Sequence, residues 1–362
     1  MKPLENLFDR VRPTFEDEGL LSPFEPVFEA TENFFLSPGT PTDRAPHVRD
    51  PMDLKRYMWL VVLALLPALF CGLYFFGLRV LAVVVVSYAV GGSVEVVFAM
   101  ARNEEISEGF LVTGLLFPLV LPPAVPLWMV GMGVAFGVLV GKELFGGTGR
   151  NLFNPALVGR CFLAIAYPAA MAGGYLLPGD GLTGRLAQYV GGWNADAVSS
   201  ATPLAAAKQG TYAALSDLFF GHVSGSIGET SALALVAGGL FLLATRVANW
   251  RTVVGVLGTF GLLGLLLSRT APETFGPIGW HMLAGGLLLG AFFMATDPVT
   301  SPAENGAKWA YGAIVGACAL LIRHLTGYVE GVMFAILLGN IAAPVLDEVA
   351  VRAHLRRLSD EG

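Results

Sequence analysis

Residues 78–100 read LRVLAVVVVSYAVGGSVEVVFAM, and the only charges among them are Arg79 near the start and Glu95 deep inside. About 20 consecutive apolar residues are what a helix needs to cross the hydrocarbon core of a bilayer. Reading outward from this stretch with the same criterion gives nine more spans: Met58–Phe76, Phe110–Leu121, Leu127–Phe145, Leu152–Met171, Ala232–Thr245, Val253–Leu267, Ile278–Ala295, Trp309–Leu325 and Gly331–Val345. Several are short for a perpendicular crossing, notably Phe110–Leu121, which stops at Pro122 and Pro123. Composition agrees: charged residues are 14% of the chain, hydrophobic residues 54%, and 45 of the 362 positions are glycine. With a mean hydropathy of +0.64, this is the composition of a polytopic membrane protein and not of a soluble globular one.

The same counts exclude other classes. A net charge of −6 without a clustered basic stretch gives no nucleic-acid surface. Cys71, Cys161 and Cys318 lie far apart in apolar runs without CxxC spacing, so they read as buried thiols and not as ligands of a zinc or iron–sulfur site. The first 50 residues have no apolar core, so the first span is expected to act as the insertion signal.

Lysine and arginine flank the ends: Lys2, Arg10, Arg12, Arg44, Arg49, Lys55 and Arg56 before the first span, and Arg352, Arg356 and Arg357 after the last. The positive-inside rule then puts both termini in the cytoplasm, as ten spans require. The expected fold is an all-α polytopic membrane protein of two inverted five-helix repeats with broken helices. Residues 1–56 form a cytoplasmic extension, 57–171 the first membrane half, 172–231 an outward-facing loop, 232–347 the second half and 348–362 a cytoplasmic tail. The repeat rests on residues 108–128 and 280–309, where a short glycine-containing apolar segment runs into a proline-broken turn in each half. Interrupted helices in matching positions mark a binding site or pathway near the midplane.

The long loop contains ADAVSSATPLAAAKQG, residues 195–210, small and hydroxylated where the chain is otherwise bulky and apolar. Proline keeps the residue before it extended, so Thr202 presents its hydroxyl without a bulky upstream neighbour. A modifying enzyme could reach it, although such loops are also ordinary turns.

In FGGTGRNLFNPAL, residues 145–157, glycines allow close backbone approach to a ligand, and Asn151 and Asn154 recur three apart. That pair supplies donors and acceptors beside apolar walls, or caps a broken helix. The Gly-Lys-Ser/Thr ending of a phosphate loop is missing. Ionisable residues in spans are functional candidates by default: Glu95 in the second, Asp297 at the end of the eighth and Asp347 at the end of the tenth. The alternatives are that Asp297 caps the broken segment TDPVTSP and that Asp347 sits at the interface.

The motif DAVSSAT, 196–202, resembles the flavinylation motif of the family that contains the membrane-bound B component of the sodium-translocating NADH:quinone oxidoreductase and the D component of the Rnf complex. Ala197 and Ser200 stand where that family usually has glycines. Further blocks are similar in the same order: 37–56, GGSVEV at 91–96, SEGF at 107–110, 141–162, GSIGETSAL at 225–233 and MATDPVTSP at 294–302. The extension carrying HVRD resembles the sodium-pump component more than the shorter Rnf one.

The resemblance implies FMN joined to Thr202 by a phosphodiester, added by a separate flavin transferase, and riboflavin bound noncovalently at Asn151 and Asn154. It implies quinone contacts at Gly91, Gly92, Glu108, Gly109, Phe110 and Phe162, and a Na⁺ pathway through Glu95, Asp297 and Asp347. It further implies a multi-pass location in the bacterial inner membrane, within a six-subunit complex. That complex includes an NADH-oxidising flavin and iron–sulfur subunit and a second FMN-carrying subunit. The chain alone should not oxidise NADH, since it has no dinucleotide fingerprint and no cysteine set for a cluster. The alternatives are the Rnf D component and a small-solute channel of similar inverted-repeat architecture, which would have no need of SSATPL.

Overall fold

A computed structural model describes residues 10–14, 28, 54–102, 109–178, 201–328 and 330–361. Every long element among them is helical. The first half contains α1 (Leu54–Phe76), α2 (Arg79–Arg102), α3 (Gly109–Leu119), α4 (Leu127–Gly141), α5 (Pro155–Ala166) and α6 (Pro168–Gly173). Two short helices, α7 (Pro203–Ala207) and α8 (Leu215–Phe220), follow in the middle segment. The second half contains α9 (Ala232–Ala244), α10 (Trp250–Thr270), α11 (Pro272–Phe275), α12 (Ile278–Leu283), α13 (Leu287–Leu289) with a π-turn (Gly290–Met294), α14 (Asn305–Leu325) and α15 (Val332–Glu361).

A helix lies at each of the ten expected positions, but five are long and apolar enough to cross a bilayer: α1, α2, α4, α10 and α15. The pair Pro272–Leu283 and Leu287–Met294, bent by 58°, is apolar enough for a sixth if it forms one broken span. At 11, 12 and 13 residues, α3, α5 and α9 reach only about 16 to 20 Å, short of the roughly 30 Å hydrocarbon core. The sequence explains each interruption. Pro122 and Pro123 end the segment containing α3; Pro155 and Pro168 bound α5; after α9 the chain turns at Arg246, whose φ is 60°.

The two halves share one packing order. In each, the second element packs on the third and fourth, the fourth on the fifth, and the broken third element on the first and fifth. Between halves, first packs on first (α1 on α9) and fifth on fifth (α5 on α15). That pairing of equal ranks is what an internal two-fold repeat produces. Small residues let backbones meet at these crossings. A Cβ on Gly238 would lie 2.1 Å from the Ala64 carbonyl oxygen between α9 and α1, and one on Gly137 2.4 Å from the Pro155 carbonyl oxygen between α4 and α5.

Part of the predicted outer loop is inside the protein. The prolines after α3 leave carbonyls without helical partners, a costly state in hydrocarbon. The N–H groups of Ile227 and Gly228 donate to Leu121 and Leu119 at 3.0 and 2.7 Å. Ile227 is fully buried, so residues near 227 serve as core and not as surface.

Candidate functional site: two cavities joined by α5 and α15

Thr202 is extended, with φ −63° and ψ 155°, as Pro203 requires. Its Oγ1 accepts a hydrogen bond from Ala205 N at 3.2 Å and so caps α7. Leu204 and Ala207 fix that helix against Leu218, Val223, Trp280 and Ala284, and Lys208 Nζ ties its end to the carbonyls of Thr326 and Tyr328 at 2.9 and 2.8 Å. Ser224 Oγ donates to the Ala201 carbonyl at 2.7 Å. Thr202 is thereby held, half-buried, on the wall of a cavity of about 380 Å³.

The far wall of this cavity is charged. Arg160 on α5, Glu229, Glu330 and Tyr175 all line it. Arg160 Nη2 pairs with Glu330 Oε2 at 2.7 Å, and Gly286 N, at the break of the bent span, donates to Glu330 Oε1. Burial opposes charge on Glu330, yet Arg160 beside it holds its carboxyl below the ordinary range. Glu229 forms no ion pair among the described residues. Burial, and then the like charge of Glu330, push its carboxyl up to about 8 against the pull of Arg160.

The second cavity, of about 70 Å³, lies between the halves and is lined by Lys142, Thr148, Asn151, Asn154, Gly109 and Asp297 among others. Asn154 caps α5: its Oδ1 accepts from Ala156 N at 3.0 Å and Leu157 N at 3.4 Å, with Pro155 next in the helix. Asn151 Nδ2 donates to the Phe153 carbonyl at 3.0 Å. Asn154 is therefore a helix cap and Asn151 closes the turn before it, and among the described residues Asn151 Oδ1 and Asn154 Nδ2 have no hydrogen-bond partner. Thr148 Oγ1 is buried on the same wall without a partner. The glycines between Phe145 and Arg150 serve a different end from ligand approach: Gly146, Gly147 and Gly149 have φ of 105°, 90° and 87°, a turn that residues with a Cβ rarely make.

The two cavities are neighbours along the same helices. Six residues of α5 separate Asn154 from Arg160, roughly 9 Å of helix rise. On α15, Met333 lines the first cavity, and Asn340, turned so that its amide oxygen accepts from Asn154 N at 3.2 Å, lies by the second. Those seven residues again rise about 10 Å.

The remaining predicted positions divide. Gly91 and Gly92 are brought together with Phe110, whose ring fills the space above them: a Cβ on Gly91 would lie 2.8 Å from Phe110 Cζ. Phe162 is elsewhere, stacked on Phe136 at 4.2 Å. Glu108 lies outside the described residues. Glu95 is buried on α2 in an ion pair with Lys142. Asp297 caps its own turn, accepting from Val299 N at 3.1 Å and Thr300 Oγ1 at 3.0 Å, while facing the smaller cavity. Asp347 accepts from Ala303 N and Glu304 N at 2.8 and 2.9 Å, and so braces the start of α14 away from both cavities. Sequence reading passed over Lys142, Arg160, Glu229 and Glu330. Arg160 had the signal that singled out Glu95, a charge inside an apolar run.

The model of the NQR2, RnfD, RnfE family matches residues 41–356. The B component of the Na⁺-translocating NADH-quinone reductase of Klebsiella pneumoniae (strain 342) is 37% identical over 99% of this chain and 100% of its own length. The corresponding B components of Ectopseudomonas mendocina (strain ymp) and Azotobacter vinelandii are each 39% identical over 96% of this chain and 97% of theirs. With a family match along most of its length and relatives of this identity end to end, the chain belongs to the NQR2, RnfD, RnfE family.

Proposed function

We propose that this chain is the membrane subunit of a Na⁺-translocating NADH:quinone reductase, carrying FMN on Thr202 and riboflavin at Asn151 and Asn154. Its relatives along the whole chain are named as the B component of that complex. The observation that carries the cofactor reading is the Thr202 hydroxyl on the wall of a 380 Å³ cavity, a volume within the roughly 300–1,000 Å³ range of small-molecule sites. Bound there, FMN supplies one- and two-electron redox chemistry.

The chain's own part is positioning. Proline holds Thr202 extended, the α7 contacts fix it against the second half, and the Arg160–Glu330 pair with Glu229 forms the polar end of the cavity. The smaller cavity suits the polar edge of riboflavin, because Asn151 Oδ1 offers an acceptor and Asn154 Nδ2 a donor. At about 70 Å³ it would take that edge and not the whole ring. Quinone is reduced near Gly91, Gly92 and Phe110, and partner subunits take electrons from NADH. Expression with a flavin transferase, followed by a denaturing gel, tests the reading: a fluorescent band at this chain is expected, and a dark band with full protein staining would defeat it.

A further inference from the structure

Lys142 ends α4 with φ −132° and ψ −60° and turns the chain into the short helix Glu143–Phe145. Its side chain is 4% exposed, and its Nζ lies on Oε1 of Glu95, whose side chain is 5% exposed. Among the described residues neither group has a second hydrogen-bond partner. The adjacent pair, Arg102 Nη1 on Glu143 Oε2 at 2.7 Å, is separate. Lys142 also lines the smaller cavity, beside the unpartnered Thr148 Oγ1, the free Asn151 Oδ1 and the Asp297 carboxylate. The same residue thus pairs with a carboxylate inside a membrane span and lines a cavity that carries oxygen acceptors.

A buried carboxylate paired to an ammonium cannot also take up Na⁺. Adding the ion without removing the ammonium would leave a net positive charge in low dielectric, which costs several kcal/mol. Exchanging one monovalent cation for the other keeps the site neutral. The glycine turn after Lys142, with three positive φ angles between residues 146 and 149, gives the junction freedom to move.

We propose that Lys142 is a tethered cation that competes with Na⁺ for the Glu95 carboxylate, turning away from it when Na⁺ takes its place. This rests on the reading that the complex moves Na⁺. It makes Lys142 a positioning residue for transport.

The test uses the purified full complex and titrates Na⁺ at constant ionic strength, reading the melting temperature as well as turnover. Ligand binding to the folded state raises the melting temperature by an amount that grows with the logarithm of ligand concentration over Kd. Lys142→Met should lower the half-maximal Na⁺ concentration tenfold or more, because the internal competitor is gone. Lys142→Arg should stay near wild type, and Glu95→Gln added to Lys142→Met should abolish the gain. If Lys142→Met does not assemble, Lys142→Gln is read by the same criterion. The inference is overturned if the single variant melts low at every Na⁺ concentration while the double variant regains stability with wild-type Na⁺ dependence, since the pair is then only structural. A wild-type complex whose turnover ignores Na⁺ would instead defeat the transport reading, and with it this inference.

Discussion

Alanine at position 91 would put a methyl carbon 2.8 Å from Cε2 and Cζ of Phe110 and 2.9 Å from Cγ2 of Val134. Non-bonded carbons are most stable about 3.5–4.0 Å apart, so one of these neighbours has to yield by more than half an ångström. Phe110 has little slack: it is 8% exposed and packs edge-on against Tyr88 at 5.8 Å, whose hydroxyl donates to the Leu111 carbonyl at 2.6 Å. Overpacking of this kind costs about 1–3 kcal/mol, a five- to 150-fold penalty at about 1.4 kcal/mol per factor of ten. At Gly92 the same methyl would sit 3.3 Å from Phe110 Cε1, with Cδ1 and Cζ at an ordinary 3.9 Å, a contact that a small ring rotation relieves. Quinone reduction by the assembled complex, measured as kcat/KM, should therefore fall about tenfold or more in Gly91→Ala and at most threefold in Gly92→Ala. Phe110→Leu should restore part of the loss in Gly91→Ala by making room. Covalent flavin on the gel should be unchanged in all three, since Thr202 is held by other elements. Equal kinetics in the two alanine variants, or no recovery in the double variant, would refute the packing argument and the quinone location with it.

Three further outcomes are expected. Asn154→Ala removes the cap of α5, which should cost about 1 kcal/mol in stability and lower the riboflavin extractable from the complex while the covalent band persists. Glu229 titrates near 8 in the folded protein against an ordinary 4.5, so the folded state holds the extra proton between those values and stability falls as pH rises through that window. Melting curves should show Glu229→Gln gaining on wild type from pH 5 to pH 8, with a constant gap above. Asp297→Asn keeps an oxygen for Val299 N but loses the second carboxylate oxygen that Thr300 uses. It should cost about 1 kcal/mol and raise the half-maximal Na⁺ concentration for turnover severalfold; an unchanged Na⁺ titration would leave Asp297 only its turn.

Local chemistry was legible in the sequence where one residue decides it. Pro203 made Thr202 extended, Asn154 before Pro155 reads as a helix cap, and the apolar run from Leu78 to Met100 became α2 with Glu95 buried inside. What could not be read depends on partners far away in the chain. The pairing of Arg160 with Glu330 spans 170 positions, and that of Lys142 with Glu95 spans 47; neither leaves a local pattern. Helix length depends on neighbours in the same way: α3 is short, and its freed carbonyls at Leu119 and Leu121 are satisfied by Gly228 and Ile227. Nor does a sequence show that Phe110 lies over Gly91 and Gly92.

Mass mapping of the peptide that ends at Lys208, in protein made with the flavin transferase, tests the central claim most directly. Thr202 Oγ1 is the atom that would form the phosphodiester, and it also caps α7 through Ala205 N. Thr202→Val loses that cap at about 1 kcal/mol, too little to unfold a helix fixed by Leu204 and Ala207 in their apolar cluster. An FMN mass increment on Thr202 in the wild type, retained at least in part in Thr202→Ser and absent from Thr202→Val and Thr202→Ala, is the predicted result. An increment on Ser199 or Ser200, or one that persists in Thr202→Val, would contradict it.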